Sequence, residues 1–391
     1  MVADVSSERE KHIFRSSPQE RERRYLALRA AMRTDGIEAL IVAARGDECT
    51  RGRLQYISDA HMWAGRALVA FPLSGTPAYF GAPLWGSGRV PMPGWLTDAR
   101  NSEHPGRDLG HALRDLGLGR ARIGIVGLED VIAVVDMKEI TAALPDAELI
   151  DATELFDAVR SIKSPEEIGY LRETSVIVKK AYEVIEAHLA PGRTEREVIA
   201  EAHKLLRGAG CLDGIAILGR QPFHSFAPPT DDAFTKDDII GMDLEWGGPS
   251  HYWLELRRVY SFKQPPDDAL RFWDMRVEAQ QRCLEAIKPG VSSNEILIAM
   301  QAVYRKYGYD ADGIVGFSAH GIGIDCLELP YVPGKEVMFQ EGMVVSLHPQ
   351  VRFATPLQAQ AFGGLGIADN VLVTASGSER LTDQVDEWII V

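Results

Sequence analysis

The chain lacks the signatures of several large protein classes. Its four cysteines, Cys49, Cys211, Cys283 and Cys326, form no CxxC pair, which argues against a disulfide framework and against a thiolate zinc site. No apolar run approaches the roughly 20 residues that a membrane-spanning helix needs, and residues 1–10 lack the apolar core of a signal peptide. We therefore expect a cytoplasmic protein with reduced thiols.

Positive charge and nucleotide-binding loops are also scarce. The 42 basic residues are outnumbered by 56 acidic ones, and the resulting net charge of −14 argues against binding to nucleic acid or to an anionic membrane. The glycine-rich segment 363–366 lacks the strand–loop–helix setting of a phosphate loop, and no Gly-x-Ser-x-Gly motif is present. We expect a small-molecule substrate.

The length and periodicity of the chain predict two domains, because 391 residues exceed one typical core. A helix is predicted over 21–33, followed by strands at 39–43, 67–71 and 123–126, which together indicate an α/β domain. A second domain begins where Ser164 can cap a helix whose first turn is Pro165-Glu166-Glu167. We place the two domains at 1–159 and 160–391.

The second domain contains an internal repeat. Residues 190–198 and 288–296 each end one helix at Pro-Gly and start another with a potential capping box, Thr194 with Glu197 and Ser292 with Glu295. Helix–turn–helix segments can share this pattern by chance. The position of each copy before one group of polar residues favours a duplication.

Acidic residues cluster on two predicted neighbouring strands. Alternation along 239–245 puts Asp243 and Glu245 on one face and Leu244 on the other, while Glu255 lies on the next strand. Converging acids need a cation or bound protons. The alternative is an exposed acidic strand paired with Arg257 or Arg258.

Three histidines flank the acidic strands, and these segments together resemble a known family. His224 precedes the acidic strands in Pro222-Phe223-His224, His320 lies in Ala319-His320-Gly321-Ile322-Gly323, and His348 follows a short apolar run at 344–347. In order and rough spacing the segments resemble the active-site segments of the creatinase, prolidase, aminopeptidase P and methionine aminopeptidase superfamily. The resemblance implies a two-domain fold: a creatinase-like α/β N-terminal domain, and a pita-bread α+β C-terminal domain with two pseudo-symmetric halves around a curved antiparallel sheet. It also implies a homodimer.

The chain departs from the metal-ligand pattern of that superfamily. The resemblance puts His348 where its metallopeptidases have a glutamate ligand and Ala368 where they have the last bridging glutamate. Leu327 replaces a histidine, and Glu255 stands near an aspartate position with one extra residue before it, so a bulge is expected. A two-metal centre needs bridging carboxylates, and we therefore do not expect one. Either no metal or one divalent ion (zinc, iron or manganese) remains open, held by Asp243, Glu255, His320 and His348.

The favoured function is a creatinase-like small-molecule hydrolase or lyase that cleaves a C–N or C–X bond. His224 would act as general acid and base, with Asp243, Glu255, His320 and His348 lining the site. The candidate substrate-binding residues are Glu245, Tyr252, Arg258 and Glu328. One alternative is a divergent metal-dependent Xaa-Pro dipeptidase or aminopeptidase. Another is a non-catalytic binding protein, which a pocket plugged by Trp246 or Trp253 would indicate.

Overall fold

The computed structural model describes residues 16–62, 64–81, 94–309, 319–328, 336–382 and 386–391. The chain divides into two compact units, Met1–Arg160 and Ser161–Val391, and the sequence-based boundary fell between residues 159 and 160. The predicted lack of a signal peptide concerns residues 1–10, which lie outside the described residues. Within the described part, no helix is long and apolar enough to cross a membrane.

The first unit is an α/β domain, as the sequence predicted. Its described helices are α1 (Pro18–Thr34), α2 (Gly52–Ser58), α3 (Pro105–Asp115), α4 (Val134–Ala143) and α5 (Thr153–Ser161), the last of which ends at the boundary. Its described strands are β1 (Ala39–Arg45), β2 (Arg66–Pro72), β3 (Ala78–Gly81), β4 (Asp98–Asn101), β5 (Arg122–Val126) and β6 (Glu148–Asp151). They form one mixed sheet in the order β4-β3-β2-β1-β5-β6. The predicted helix and three strands correspond to α1, β1, β2 and β5.

The second unit combines helices with two four-stranded sheets. Its described helices are α6 (Pro165–His188), α7 (Glu195–Gly208), α8 (Asp267–Ala286), α9 (Ser293–Tyr307) and α10 (Pro356–Phe362). Its described strands are β7 (Gly214–Arg220), β8 (Ile239–Gly247), β9 (Trp253–Ser261), β10 (Ala319–Gly321), β11 (Val344–Leu347), β12 (Asp369–Thr374), β13 (Gly377–Arg380) and β14 (Ile389–Ile390). The sheet orders are β14-β9-β8-β7 and β10-β11-β12-β13. The antiparallel pairs β7–β8–β9 and β10–β11–β12–β13 form their main parts.

Helix caps fix the starts of three long helices: the two predicted capping boxes are present, and the predicted cap at Ser164 is also a capping box. Ser164, Thr194 and Ser292 each accept a backbone N–H in the first turn, and each has its N–H bonded by the glutamate three residues later. Such a cap satisfies donors that the helix itself leaves unpaired, and it stabilises a helix by about 1 kcal/mol. The sequence therefore determines these boundaries locally.

The repeat predicted from the sequence is also visible in the backbone contacts. Gly192 and Gly290 both have positive φ, 91° and 81°. The Gly192 N–H donates to the Phe234 carbonyl at 2.7 Å, and the Gly290 N–H donates to the Phe339 carbonyl at 2.9 Å. A bridge follows in each copy, Thr194 with Ala233 and Ser292 with Met338. The two halves thus share one scaffold, in which a helix pair is joined to the start of a sheet strand.

Each half buries its helix pair against its own sheet. One apolar cluster joins α6 and α7 to β7, β8 and β9, and a second joins α8 and α9 to β11 and β12. The two sheets meet where Arg257 of β9 bridges Ala368. There the Asn370 side chain accepts the Glu255 N–H at 3.3 Å and donates to the Glu255 carbonyl at 2.5 Å. The Asn370 side chain therefore makes the two hydrogen bonds to Glu255 that the backbone of a paired strand would make, and it connects the two halves.

Candidate active site

The acidic strands pair in a register that brings four charged side chains to one face. Asp243 lies opposite Arg257, and Glu245 lies opposite Glu255. The pairing continues without interruption from Ile239–Ser261 to Gly247–Trp253, so the expected bulge is wrong. The extra residue is accommodated in the connection 248–252 between the strands.

Arg257 lies inside the acidic cluster. Its Nε donates to Asp243 Oδ2 at 2.9 Å, its Nη2 donates to the same oxygen, and Nη2 is 3.5 Å from Glu255 Oε1. The side chains of Asp243 and Glu255 are only 1% and 2% exposed. The alternative of an acidic strand paired with Arg257 is therefore correct about the partner, whereas the strand is buried rather than exposed.

The second sheet brings imidazoles to the same carboxylate. His320 Nε2 is 3.1 Å from Glu255 Oε2, Ser346 donates its hydroxyl to that oxygen at 2.7 Å, and His348 Nε2 is 3.8 Å away. His320 Nδ1 is 2.9 Å from the Gly321 carbonyl, which fixes the proton on Nδ1. Its Nε2 lone pair then faces a carboxylate oxygen. Such a contact is favourable only with a proton or a metal ion between the two atoms.

His348 has the protonation state of a neutral metal ligand. Burial lowers the pKa of His348 to about 4, although Glu255 opposes this shift. Its Nδ1 is buried and has no hydrogen-bond partner among the described residues. A neutral imidazole with a free nitrogen is the form that binds a metal.

The carboxylates of the cluster differ in their proton affinity. Burial raises the pKa of Glu245 to about 8, and the neighbouring charges of Glu255 and Asp243 add to the shift. Burial likewise raises the pKa of Asp243 to about 6, against the attraction of Arg257. Burial also disfavours ionised Glu255, but His348, His320 and Arg257 outweigh it and hold the Glu255 pKa well below its usual range. Glu255 is thus the ionised carboxylate of the site.

The donor atoms fit one divalent ion. Glu255, His320 and His348 offer ligand atoms that lie within 4.8 Å of one another, and a carboxylate with two imidazoles suits zinc, iron or manganese. A second group, Asp243, Glu245 and Glu255, shares Glu255 with the first. Its Asp243 already binds the Arg257 guanidinium. Arg257 would therefore compete with a metal ion for this second group.

Three of the predicted substrate-binding residues have charged or polar partners outside the group Glu255, His320 and His348. Arg258 points to the helix side of the sheet, where Nη1 donates to Glu186 at 2.6 Å. Tyr252 donates its hydroxyl to Glu167 at 2.7 Å. Glu328 pairs with Lys163 at 2.8 Å, and both side chains are almost fully buried. All three side chains are engaged within the fold.

Glu245 lies on the site face of the sheet, whereas His224 lies in an exposed connection. Glu245, the fourth predicted substrate-binding residue, is half-buried on the site face opposite Glu255. His224 is exposed in the connection between β7 and β8. Phe226, two residues later, lies beneath the Arg257 guanidinium, with the Arg257 Cζ 5.3 Å from its ring centroid. The catalytic role of His224 stays a prediction.

The two tryptophans proposed as plugs lie on opposite faces. Trp246 packs against His203 of α7, with ring centroids 5.3 Å apart, on the helix side of the sheet. Trp253 shares the site face with Glu255 by strand alternation, and its backbone N–H donates to the Gly323 carbonyl at 2.7 Å. Trp246 therefore does not plug the site.

Sequence reasoning missed the residues that organise the cluster. Arg257 entered it only as the partner of an exposed strand, and Ser346 and Asn370 were not considered. Strand alternation gave a usable signal for Arg257, because residues 255 and 257 must share a face. No comparable local signal marks Asn370, since its contact with Glu255 joins residues 115 positions apart.

The fold and the site together define a metallopeptidase-like protein, and the comparison with protein families agrees. The chain belongs to metallopeptidase family M24, whose model matches residues 169–375. The Creatinase/Prolidase N-terminal domain model matches residues 24–162. The superfamily and the two-domain, pita-bread architecture expected from the sequence are thereby confirmed.

Individual relatives have names that are more specific than the family description. The chain is 27% identical over 265 residues to the Xaa-Pro dipeptidase of Pyrococcus furiosus, which covers 66% of this chain and 73% of that one. It is 26% identical over 388 residues to a Mycobacterium tuberculosis protein named "Probable dipeptidase PepE", and the aligned region covers 94% of this chain and 96% of that protein. The crystal structure of dipeptidase PepE from Mycobacterium ulcerans superposes with a TM-score of 0.77 at 23% identity, covering 97% and 100%. That likeness shows the fold.

These relatives correct the expected function. The favoured reading, a creatinase-like small-molecule hydrolase or lyase, is wrong, because the relatives are named for dipeptide hydrolysis. The alternative of a metal-dependent dipeptidase is the better supported reading of the sequence.

Proposed function

We propose that this chain is a metal-dependent dipeptidase, with Xaa-Pro dipeptides as the first candidate substrates. One observation carries the proposal: Glu255, His320 and His348 converge within 4.8 Å in a chain of family M24. The names of its relatives supply the substrate class.

Glu255, His320 and His348 would hold the ion. The chemistry that such an ion would supply is activation of water and polarisation of the scissile carbonyl. Ser346 orients Glu255 by donating to Oε2 at 2.7 Å, and the Gly321 carbonyl orients the His320 ring through Nδ1–H. These contacts keep both ligand atoms directed at one point.

Glu245 is the candidate proton carrier. The pKa of its carboxyl, raised to about 8 by burial and by Glu255, lets it gain or lose a proton near neutral pH. It lies directly across the strand pair from Glu255, so a proton on its carboxyl is held next to the ligand set. The exposed His224 is a second candidate for proton transfer to the leaving amine.

The test is hydrolysis by protein purified without a histidine tag, loaded separately with Mn²⁺, Zn²⁺ or Fe²⁺. We expect release of free proline from Xaa-Pro dipeptides, loss of this activity on chelation, and recovery when the ion returns. Matched dipeptides with alanine in place of proline measure the specificity. A folded, metal-loaded protein that leaves both sets intact would refute the proposal.

A further inference from the structure

The Arg257 side chain occupies the region in which a second cation would contact the acidic cluster. Two of its N–H groups reach Asp243 Oδ2, and Nη2 is 3.5 Å from Glu255 Oε1. The group Asp243, Glu245 and Glu255 has its ligand atoms within 4.8 Å of one another, as a cation site would. The guanidinium therefore already binds to two of these three carboxylates.

The surroundings of Arg257 are shaped to hold it there. Phe226 lies beneath the guanidinium, with Cζ 5.3 Å from the ring centroid. A Cβ on Gly366 would come within 2.7 Å of Arg257 Cδ and 3.0 Å of Nη1, so the absence of a side chain at residue 366 leaves room for the arginine. The side chain is 22% exposed, against 1% for Asp243. These contacts define a built position rather than a surface arginine that happens to pair.

Ala368 lies directly opposite Arg257 in an isolated antiparallel bridge. Side chains opposite each other across such a pair point to the same face, with Cβ atoms roughly 4.5–5.5 Å apart. A carboxylate at residue 368 would therefore reach the guanidinium. With alanine there, no carboxylate from this strand reaches the guanidinium, and Arg257 keeps its contacts with Asp243 and Glu255.

We propose that the Arg257 guanidinium is the permanent second cation of this site, so that the chain binds one divalent ion, on Glu255, His320 and His348. The inference concerns the cation content and does not depend on the substrate. Its failure is therefore distinguishable from a failure of the proposed dipeptidase activity.

The test is Mn²⁺ stoichiometry by equilibrium dialysis with elemental analysis, combined with electron paramagnetic resonance. We expect the wild-type protein to bind one Mn²⁺ per chain and to show no exchange-coupled signal at excess Mn²⁺. The double variant Arg257→Ala with Ala368→Glu should bind two ions and show coupling between them. The matched control, Arg257→Lys with Ala368→Glu, keeps the positive charge and should bind one.

Several results would overturn the inference. Wild-type protein that binds no ion or two ions contradicts it directly. Ala368→Glu alone should still bind one ion, because Arg257 pairs with the new carboxylate, and two ions in this variant would refute the role of Arg257. A folded double variant that binds only one ion would do the same. If the double variant does not fold, the wild-type and Ala368→Glu arms still decide.

Discussion

The two halves of the second unit share a scaffold and differ in chemistry. In each half a Pro-Gly turn, a capping box and a bridge lead to a phenylalanine whose carbonyl accepts the turn glycine's N–H, Phe234 in one half and Phe339 in the other. The residue nine positions after each phenylalanine is Asp243 in the first half and His348 in the second. One place in the repeat therefore carries a carboxylate in one half and an imidazole in the other.

This difference shows which parts of a duplicated fold can diverge. The turn and the bridge are backbone contacts, and the capping box joins local side chains to the backbone; all three are present in both halves. The side chains that face the site are not needed for those contacts. The first half supplies acids and Arg257, whereas the second supplies His320, His348 and Ser346. The two sets meet at Glu255, and the group Glu255, His320 and His348 draws its side chains from both halves.

The largest effect is expected from removing that meeting point. Glu255→Gln removes the charge that faces both imidazoles, and we expect a loss of about 100-fold or more in metal affinity, and a similar loss in dipeptide hydrolysis. Metal titration and the dipeptide assay measure the two losses. Glu285→Gln, on an exposed glutamate paired with Arg282, is the control and should change neither. Retention of one tightly bound ion in Glu255→Gln would contradict the ligand assignment.

The second largest effect is expected from removing the Asn370 side chain, which connects the two halves. Asn370→Ala leaves the buried N–H and carbonyl of Glu255 without these partners, which we expect to lower the free energy of unfolding by about 2 kcal/mol or more. Urea denaturation measures the change. Asn294→Ala, at an exposed helix position, is the control and should change stability little. An unchanged midpoint for Asn370→Ala would show that the bridge alone holds the sheets together.

In protein freed of metal by a chelator, Glu245 of the first half and His348 of the second should change the free energy of unfolding with pH in opposite directions. The pKa of Glu245 is raised in the folded state to about 8, so the stability it contributes is present below pH 4 and is lost as pH rises towards 8. The pKa of His348 is lowered to about 4, so its contribution is gained as pH rises from 4 to 6.5.

Between pH 6.5 and 8 Glu245 should contribute more than His348 to the change in stability, and it should lower the free energy of unfolding by about 1 kcal/mol per pH unit. Urea denaturation at pH 6.5, 7.25 and 8 should show wild type losing stability relative to Glu245→Gln. His348→Asn should leave this upper range unchanged and alter the slope below pH 6.5. Parallel profiles for wild type and Glu245→Gln would disprove the raised pKa.

The smallest effect tests the equivalence of the two scaffolds. Thr194→Ala and Ser292→Ala each remove one capping-box hydroxyl, and each should lower the free energy of unfolding by about 1 kcal/mol. Thr141→Ala, where an exposed helical hydroxyl bonds only its own helix, is the control and should be nearly neutral. A loss confined to one half would show that the cap has become dispensable in the other.

Much of the scaffold was predictable because its signals are local. The caps at Ser164, Thr194 and Ser292 lie within four residues of the contacts they make, and alternation placed Asp243 and Glu245 on one face. The bulge was predicted wrongly because the extra residue could be placed either in the strand or in the connection, and spacing does not distinguish them. Arg258 and Tyr252 were assigned to substrate although the helix α6 offers them carboxylate partners.

The sequence by itself determined the family, the two-domain organisation and the helix boundaries, because these depend on short-range propensities and on motifs that keep their order. The tertiary structure alone decided that Arg257 lies against Asp243, that Ala368 faces Arg257, and that Asn370 holds Glu255 in place. These contacts depend on strand register and on pairing between residues more than a hundred positions apart, which no local pattern encodes. The character of the site follows from those contacts, since they determine which carboxylates remain to bind a metal ion.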